Sequence, residues 1–210
     1  MIAIDKIINK LEKEYPDAKL ILNFDEPFQL LIASILAAQC TDQRVNQVTN
    51  FLFKKYKDVS FFAYANQQEL EKDIKTTGFY RNKAKNIIQA SKIILDKYKG
   101  AMPKKKEKLL QLPGIADKTA NMILCNAFNI PSGIVVDTHV KRIAKRIGLT
   151  KESDPKKIED DLKKIVPKNK WIKFPHLIAF HGRKICQARK PKCYQCIIKE
   201  LCEYEQKITK

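Results

Sequence analysis

No apolar run in this chain approaches the ~20 residues that a membrane span needs. The longest, residues 30–38, is interrupted by Ser34. No stretch alternates apolar and polar residues as a half-buried strand would, and nothing repeats at a period of about 20–50 residues. The N-terminal MIAIDKIINK carries charge at Asp5 and Lys6 and has no small-residue cleavage site, so it does not read as a secretory signal. The expectation is a cytoplasmic protein with no membrane role. Acid is also scarce. Against 41 Lys and Arg stand 23 Asp and Glu, a net charge of +18, which points to a polyanionic partner. Nucleic acid is the first candidate and an acidic membrane surface the second; a lysine-rich surface serving solubility alone is the plain alternative. Residues 131–210 hold 20 Lys and Arg against 9 Asp and Glu, so the charge is concentrated there.

At 210 residues with 44% apolar content, the chain can bury a sizeable core in one or two domains. What is present is helical periodicity. Ile4, Ile7, Ile8 and Leu11 share one face of a first helix that ends at Pro16. A second begins near Asp25-Glu26-Pro27 and carries Phe28, Leu31, Ile32, Ile35 and Leu36, which marks it as a core element whose end delivers Gln39 and Cys40. Thr41 or Asp42 caps a third, and Asn66 with Glu69 resembles a capping box for a short one. A polar turn at residues 76–82 then holds Phe79 and Tyr80, either exposed or tucked under the long helix that follows and stops at Gly100. A short basic helix at 104–110 leads through Pro113-Gly114 into a helix bearing Ala120, Ile123, Leu124, Ala127 and Phe128. Another helix follows Asp137 and runs to about Gly148. Val140, Ile143, Ala144 and Ile147 form its buried stripe, while His139, Arg142 and Arg146 share a different face. The chain reads as all-α.

The sharpest spacing signal is Cys186-x6-Cys193-x2-Cys196-x5-Cys202. In a reducing compartment disulfides are a poor explanation, and four thiolates suit either tetrahedral zinc or an iron–sulfur cluster. Cys40 and Cys125 lie on apolar helices and read as small buried hydrophobes. The Pro113-Gly114 turn opens a helix whose first N–H groups suit a phosphate oxygen. Lys118 lies in that first turn, where the helix dipole disfavours a cation and eases deprotonation, more so if the amine is partly desolvated. It is a candidate nucleophile able to form a Schiff base, or else a phosphate-binding lysine. Asp137 reads as a helix N-cap, a role compatible with presenting its other oxygen to a site.

Together these stretches resemble the endonuclease III family, bifunctional DNA glycosylase/AP lyases of the helix–hairpin–helix superfamily. The resemblance rests on LLIASILAAQCTD (30–42), TGFYRNKAKNI (77–87), LPGIADKTAN (112–121), VVDTHVKRIAKRIGL (135–149) and HGRKICQARKPKCYQCIIKELCEY (181–204). It implies two helical domains with a DNA-binding cleft between them. One is a helical barrel at 21–130 with the helix–hairpin–helix at about 108–128. The other combines 1–20 with 131–210 and holds a 4Fe-4S cluster through Cys186, Cys193, Cys196 and Cys202. It further implies a monomer acting on double-stranded DNA that contains damaged bases or abasic sites, with oxidised pyrimidines as the usual substrates. Lys118 becomes the nucleophile and Asp137 its carboxylate. Gln39 and Phe79 would enter the gap left by a flipped base, Gly114 and Ala116 would offer backbone to the DNA, and His139 would contact it.

Two departures stand out. Ala116 occupies a position where the family's hairpin carries a second glycine, which would be strained if the residue needs φ > 0. Asp117 occupies one where a basic residue is usual, which would put negative charge beside the backbone. The rival readings are a relative of different base choice, such as the mismatch adenine glycosylases, and a non-catalytic or redox-responsive metal-stabilised DNA-binding module. The first lacks the hairpin lysine; the second needs the cysteines and the charge but not Lys118 with Asp137.

Overall fold

A computed structural model describes residues 4–204. Among the described residues there are eleven α-helices and no β-strand: α1 Ile4–Glu14, α2 Pro27–Ala37, α3 Asp42–Lys55, α4 Val59–Ala63, α5 Gln67–Asp73, α6 Tyr80–Tyr98, α7 Lys106–Leu109, α8 Asp117–Phe128, α9 Thr138–Arg146, α10 Pro155–Ile165 and α11 Lys173–Lys184. The all-α expectation is borne out. No helix among them is long and apolar enough to cross a membrane. Two compact units emerge: Leu20–Ile130, and the segment through Lys19 together with everything from Pro131 on.

The unit Leu20–Ile130 is organised around α2. Every residue from Leu30 to Leu36 is buried, as expected of a helix apolar on all sides. Pro27 opens it at the first turn, where its missing N–H is not needed, and the Gln29 side chain reaches back to accept from the Asp25 N–H at 2.7 Å. Helices α3, α6 and α8 pack on it. Helix α4 is absent from the sequence reading. At five residues it is too short to show periodicity, yet Asp58 caps it and Phe62 is buried. It lies along α6.

In the other unit, α11 packs against both α1 and α9. Ile7, Ile8 and Leu11 meet Val140, Ile143, Phe174, Leu177 and Ile178 in one apolar cluster. Gly182 allows the close approach of α9, since a Cβ there would fall 2.7 Å from His139 Nδ1 and 2.8 Å from Ile143 Cδ1. The sequence-expected helix after Asp137 ends at Arg146, two residues before Gly148, whose φ of +82° turns the chain away.

Candidate active site and cysteine cavity

The hairpin between α7 and α8 is built by local backbone bonds. Leu112 N–H donates to Leu109 at 3.0 Å and Ile115 N–H to Leu112 at 3.1 Å, while Gly114 takes φ +83°. A side chain at Gly114 would meet Asn86 Nδ2 at 3.1 Å. The condition for strain at Ala116 is not met: its φ is −101° and its ψ 172°, ordinary extended backbone, so no glycine is required. The turn concentrates its left-handed geometry two residues earlier. Ala116 is the N-cap of α8 and supplies no side-chain acceptor, in contrast to Thr41, Asp58, Asn66, Asp137 and Asp154 at other helix starts. The first turn of α8 thus lacks a side-chain cap.

Asp117, the second departure, is ion-paired. Its carboxylate lies 2.7 Å from Lys106 Nζ, so its charge is largely offset within the hairpin. Lys118 follows as the second residue of α8 and is exposed. The partial desolvation considered from the sequence is therefore not what sets its surroundings.

Gln39 and Phe79 share an uncommon feature. Both are non-glycine residues in the left-handed region, at φ +54° and +49°. Gln39 is exposed just beyond the end of α2, and Phe79, 63% exposed, forms the N-cap of α6. The two aromatics of the turn part company. Phe79 projects outward, while Tyr80 packs partly against the apolar core of Leu20–Ile130.

In the other unit, Asp137 caps α9: its carboxylate accepts the Val140 N–H at 2.8 Å. His139 is half-buried, with Nδ1 3.2 Å from Arg142 Nη2. His176 on α11 lies within the electrostatic reach of Asp137, Lys173 and Arg183. Burial and then Lys173 push its pKa from 6.5 down to about 4, with Arg183 adding and Asp137 opposing.

Cys186, Cys193, Cys196 and Cys202 all line one pocket, together with Arg146, His181 and Ile198. Among the described residues no three His, Cys, Asp or Glu side chains converge to hold a single metal ion. The sulfurs surround a space rather than a point. Burial pushes the Cys196 thiol up to about 11; a backbone N–H from Ile198 opposes this, and the charges of Cys202, Cys186 and Cys193 add to it. Four clustered sulfurs, one of them a thiol that its neighbours' charges push up, form a donor set that a cationic group would relieve.

The face of α9 that the sequence singles out for His139, Arg142 and Arg146 turns inward to this loop. Arg142 donates to the Cys186 carbonyl at 2.9 Å and Gly182 at 3.3 Å. Arg146 donates to Gln187 at 2.7 Å and Ala188 at 3.0 Å, and its Nη1 lies 3.4 Å from Cys186 Sγ. His181, only 1% exposed, bridges Tyr15 Oη at 3.1 Å and Cys196 Sγ at 3.5 Å. The sequence reading gave none of these three residues a role at the cysteines. A basic residue at i and i+4 on the helix facing a cysteine loop is the signal that could have suggested it. Cys125 is buried on α8, in keeping with a packing role, whereas Cys40 lies on no helix, in the loop between α2 and α3, and is only half-buried against the core of Leu20–Ile130.

Comparison with known proteins follows the same lines. Residues 32–168 match the family described as HhH-GPD superfamily base excision DNA repair protein. The chain is 50% identical to endonuclease III of Synechocystis sp., over 96% of its own length and 92% of the relative's. It is 41% identical to endonuclease III of Bacillus subtilis, over 99% and 94%. The solved structure of a trapped endonuclease III–DNA covalent intermediate superposes with a TM-score of 0.89 at 41% identity, covering 95% of this chain and 94% of that one. A hairpin, an exposed lysine behind it, two left-handed loop tips and a four-cysteine cavity thus lie on a chain that belongs to the HhH-GPD superfamily of base excision DNA repair proteins, among its endonuclease III members.

Proposed function

We propose that Lys118 is the nucleophile with which this DNA glycosylase and AP lyase removes oxidised pyrimidines, acting as a cytoplasmic monomer on nucleoid DNA. One observation carries the reading: Lys118 is exposed at the second position of a helix whose first turn lacks a side-chain cap. The amides of that turn and Gly114 suit a backbone phosphate, and a phosphate held there would bring its sugar to the lysine. The covalent intermediate that names a solved relative is the kind of species a lysine nucleophile forms.

The damaged nucleotide leaves the stack at a cost of a few kcal/mol, lower for a lesion than for a sound pair. The neutral amine of Lys118 attacks C1′, the bond from C1′ to the base breaks, and the base departs with a proton. Opening of the sugar ring leaves an iminium between C1′ and Nζ. Loss of a C2′ proton then expels the 3′ phosphate by β-elimination, and water releases the lysine. Asp137 helps take the proton from Lys118 or stabilises the cationic sugar, using the carboxylate that also caps α9. Gln39 and Phe79 enter the gap the flipped nucleotide leaves, and His139 lies beside the strand.

The cavity lined by Cys186, Cys193, Cys196 and Cys202 suits a 4Fe-4S cluster better than one zinc ion, because the sulfurs surround a volume and do not converge. Bound there, the cluster would tie the basic cysteine loop into a fixed shape. Arg142 and Arg146 hold the loop's carbonyls from α9 and offset thiolate charge.

Borohydride reduction on abasic-site DNA tests the nucleophile. The wild type is expected to form a covalent complex and Lys118→Ala to form none. Equal trapping by Lys118→Ala overturns the assignment, and no trapping by wild type leaves the non-catalytic DNA-binding module as the reading.

A further inference from the structure

Lys83 is a buried charge that the chemistry above does not use. It lies in the first turns of α6 and is only 4% exposed. A cation near a helix N-terminus gains nothing from the dipole, and burial costs it further: desolvation pushes its pKa down, with Cys40 acting in the opposite sense. Its side chain therefore needs a compensating reason to be there.

That reason is the set of carbonyls it reaches. Nζ donates to Leu36 O at 2.8 Å and to Thr77 O at 2.8 Å. The backbone N–H of the same residue donates to Phe79 O at 3.1 Å. Leu36 is in the last turn of α2, where the Cys40 N–H bonds to Ala37 instead. Thr77 closes the 3-10 turn Lys75–Thr77, just before Gly78 and Phe79. One nitrogen thus ties the root of the segment carrying Gln39 to the root of the segment carrying Phe79. The two carbonyl oxygens cannot lie further apart than twice the hydrogen-bond length. Gln39 is three residues beyond one root and Phe79 two beyond the other, and both tips hold left-handed backbone that needs outside support to persist.

We propose that Lys83 is a positioning residue that clasps the two gap-entering segments, residues 38–40 and 78–79, into a single unit, so that they engage an opened duplex together. The proposal rests on the reading of Gln39 and Phe79 as gap-entering residues. Lys83→Met keeps the length of the side chain and removes its donors, leaving two buried carbonyls without their partner. In the folded variant, amide hydrogen exchange should rise at both segments together and not along the rest of α6. Preference for abasic-site over undamaged duplex should fall about ten- to a hundredfold, as for a misplacement of about 1 Å, while affinity for undamaged duplex stays within about twofold. Unchanged exchange at either segment overturns the clasp.

A second measurement keeps Lys83 in place. If one clasp makes the tips a unit, losses of abasic preference in Gln39→Ala and Phe79→Ala are non-additive, and the double variant falls little below the worse single one. Additive losses overturn the proposal even if Lys83→Met does not fold. If neither single variant changes the preference, the gap-entering reading fails, and hydrogen exchange alone then decides whether Lys83 couples the segments.

Discussion

The carboxylate of Asp117 lies 2.7 Å from the ammonium of Lys106, joining the two helices of the hairpin across the Pro113-Gly114 turn. A residue that looks like a misplaced negative charge in the sequence is thus half of a local pair. The same contact occupies a lysine whose ammonium would otherwise be available to a phosphate.

Removing Asp117 should therefore strengthen DNA binding. Asp117→Asn is expected to raise duplex affinity a few-fold and to steepen its salt dependence by up to about one unit of slope. The stability loss should stay below about 1 kcal/mol, since the pair is partly exposed. Filter binding across a salt series checks both; an unchanged slope would mean Lys106 does not reach phosphate.

Asp137 carries a cap and a proposed chemical role, which its two conservative replacements separate. Asp137→Asn keeps an oxygen for the Val140 N–H, so stability should change by less than about 0.5 kcal/mol while base removal and nicking fall sharply. Asp137→Ala should lose about 1 kcal/mol in addition. If Asn retains turnover while Ala loses it through instability, Asp137 is a cap and nothing more.

Two positions in the turn should respond with opposite signs. Gly114→Ala forces a Cβ onto φ +83° and against Asn86, and is expected to cost about 1–2 kcal/mol. Ala116→Ser places an acceptor at the uncapped start of α8 and should gain about 0.5–2 kcal/mol. Thermal melts of the two variants decide this; a neutral Gly114→Ala would refute the steric account.

Acid should destabilise the unit that holds His176 before its carboxylates titrate. His176 is held neutral in the folded state down to a pKa of about 4, against 6.5 when unfolded. Between those values the unfolded chain binds more protons, so stability is full above pH 6.5 and is lost as pH falls toward 4. The slope is at most about 1.4 kcal/mol per pH unit for this one group. Urea titrations of His176→Gln should show a shallower decline than wild type; an identical decline removes His176 from the account.

Metal analysis addresses the cysteine cavity. Purified protein should be brown with about four irons per chain, and Cys193→Ser should lose colour. A colourless wild type with one zinc overturns the cluster.

Helix placement and the cysteine spacing were legible because each depends on short-range pattern: apolar residues every three or four positions, caps, and thiols within one loop. By itself the sequence determined an all-helical chain, a turn before Lys118, a cap at Asp137 and a four-sulfur site. Tertiary structure decided what those side chains face. Periodicity shows that Arg142 and Arg146 share a face, but not that the face meets a loop forty-odd residues away. The pattern of residues around Ala116 cannot fix its φ, because the turn could place its left-handed residue at either position, and it chose Gly114. Lys83 reads as one more lysine in a basic chain until folding brings Leu36 and Thr77 to its amine. Burying that charge is affordable only where two carbonyls converge, and convergence is a property of the packed chain alone.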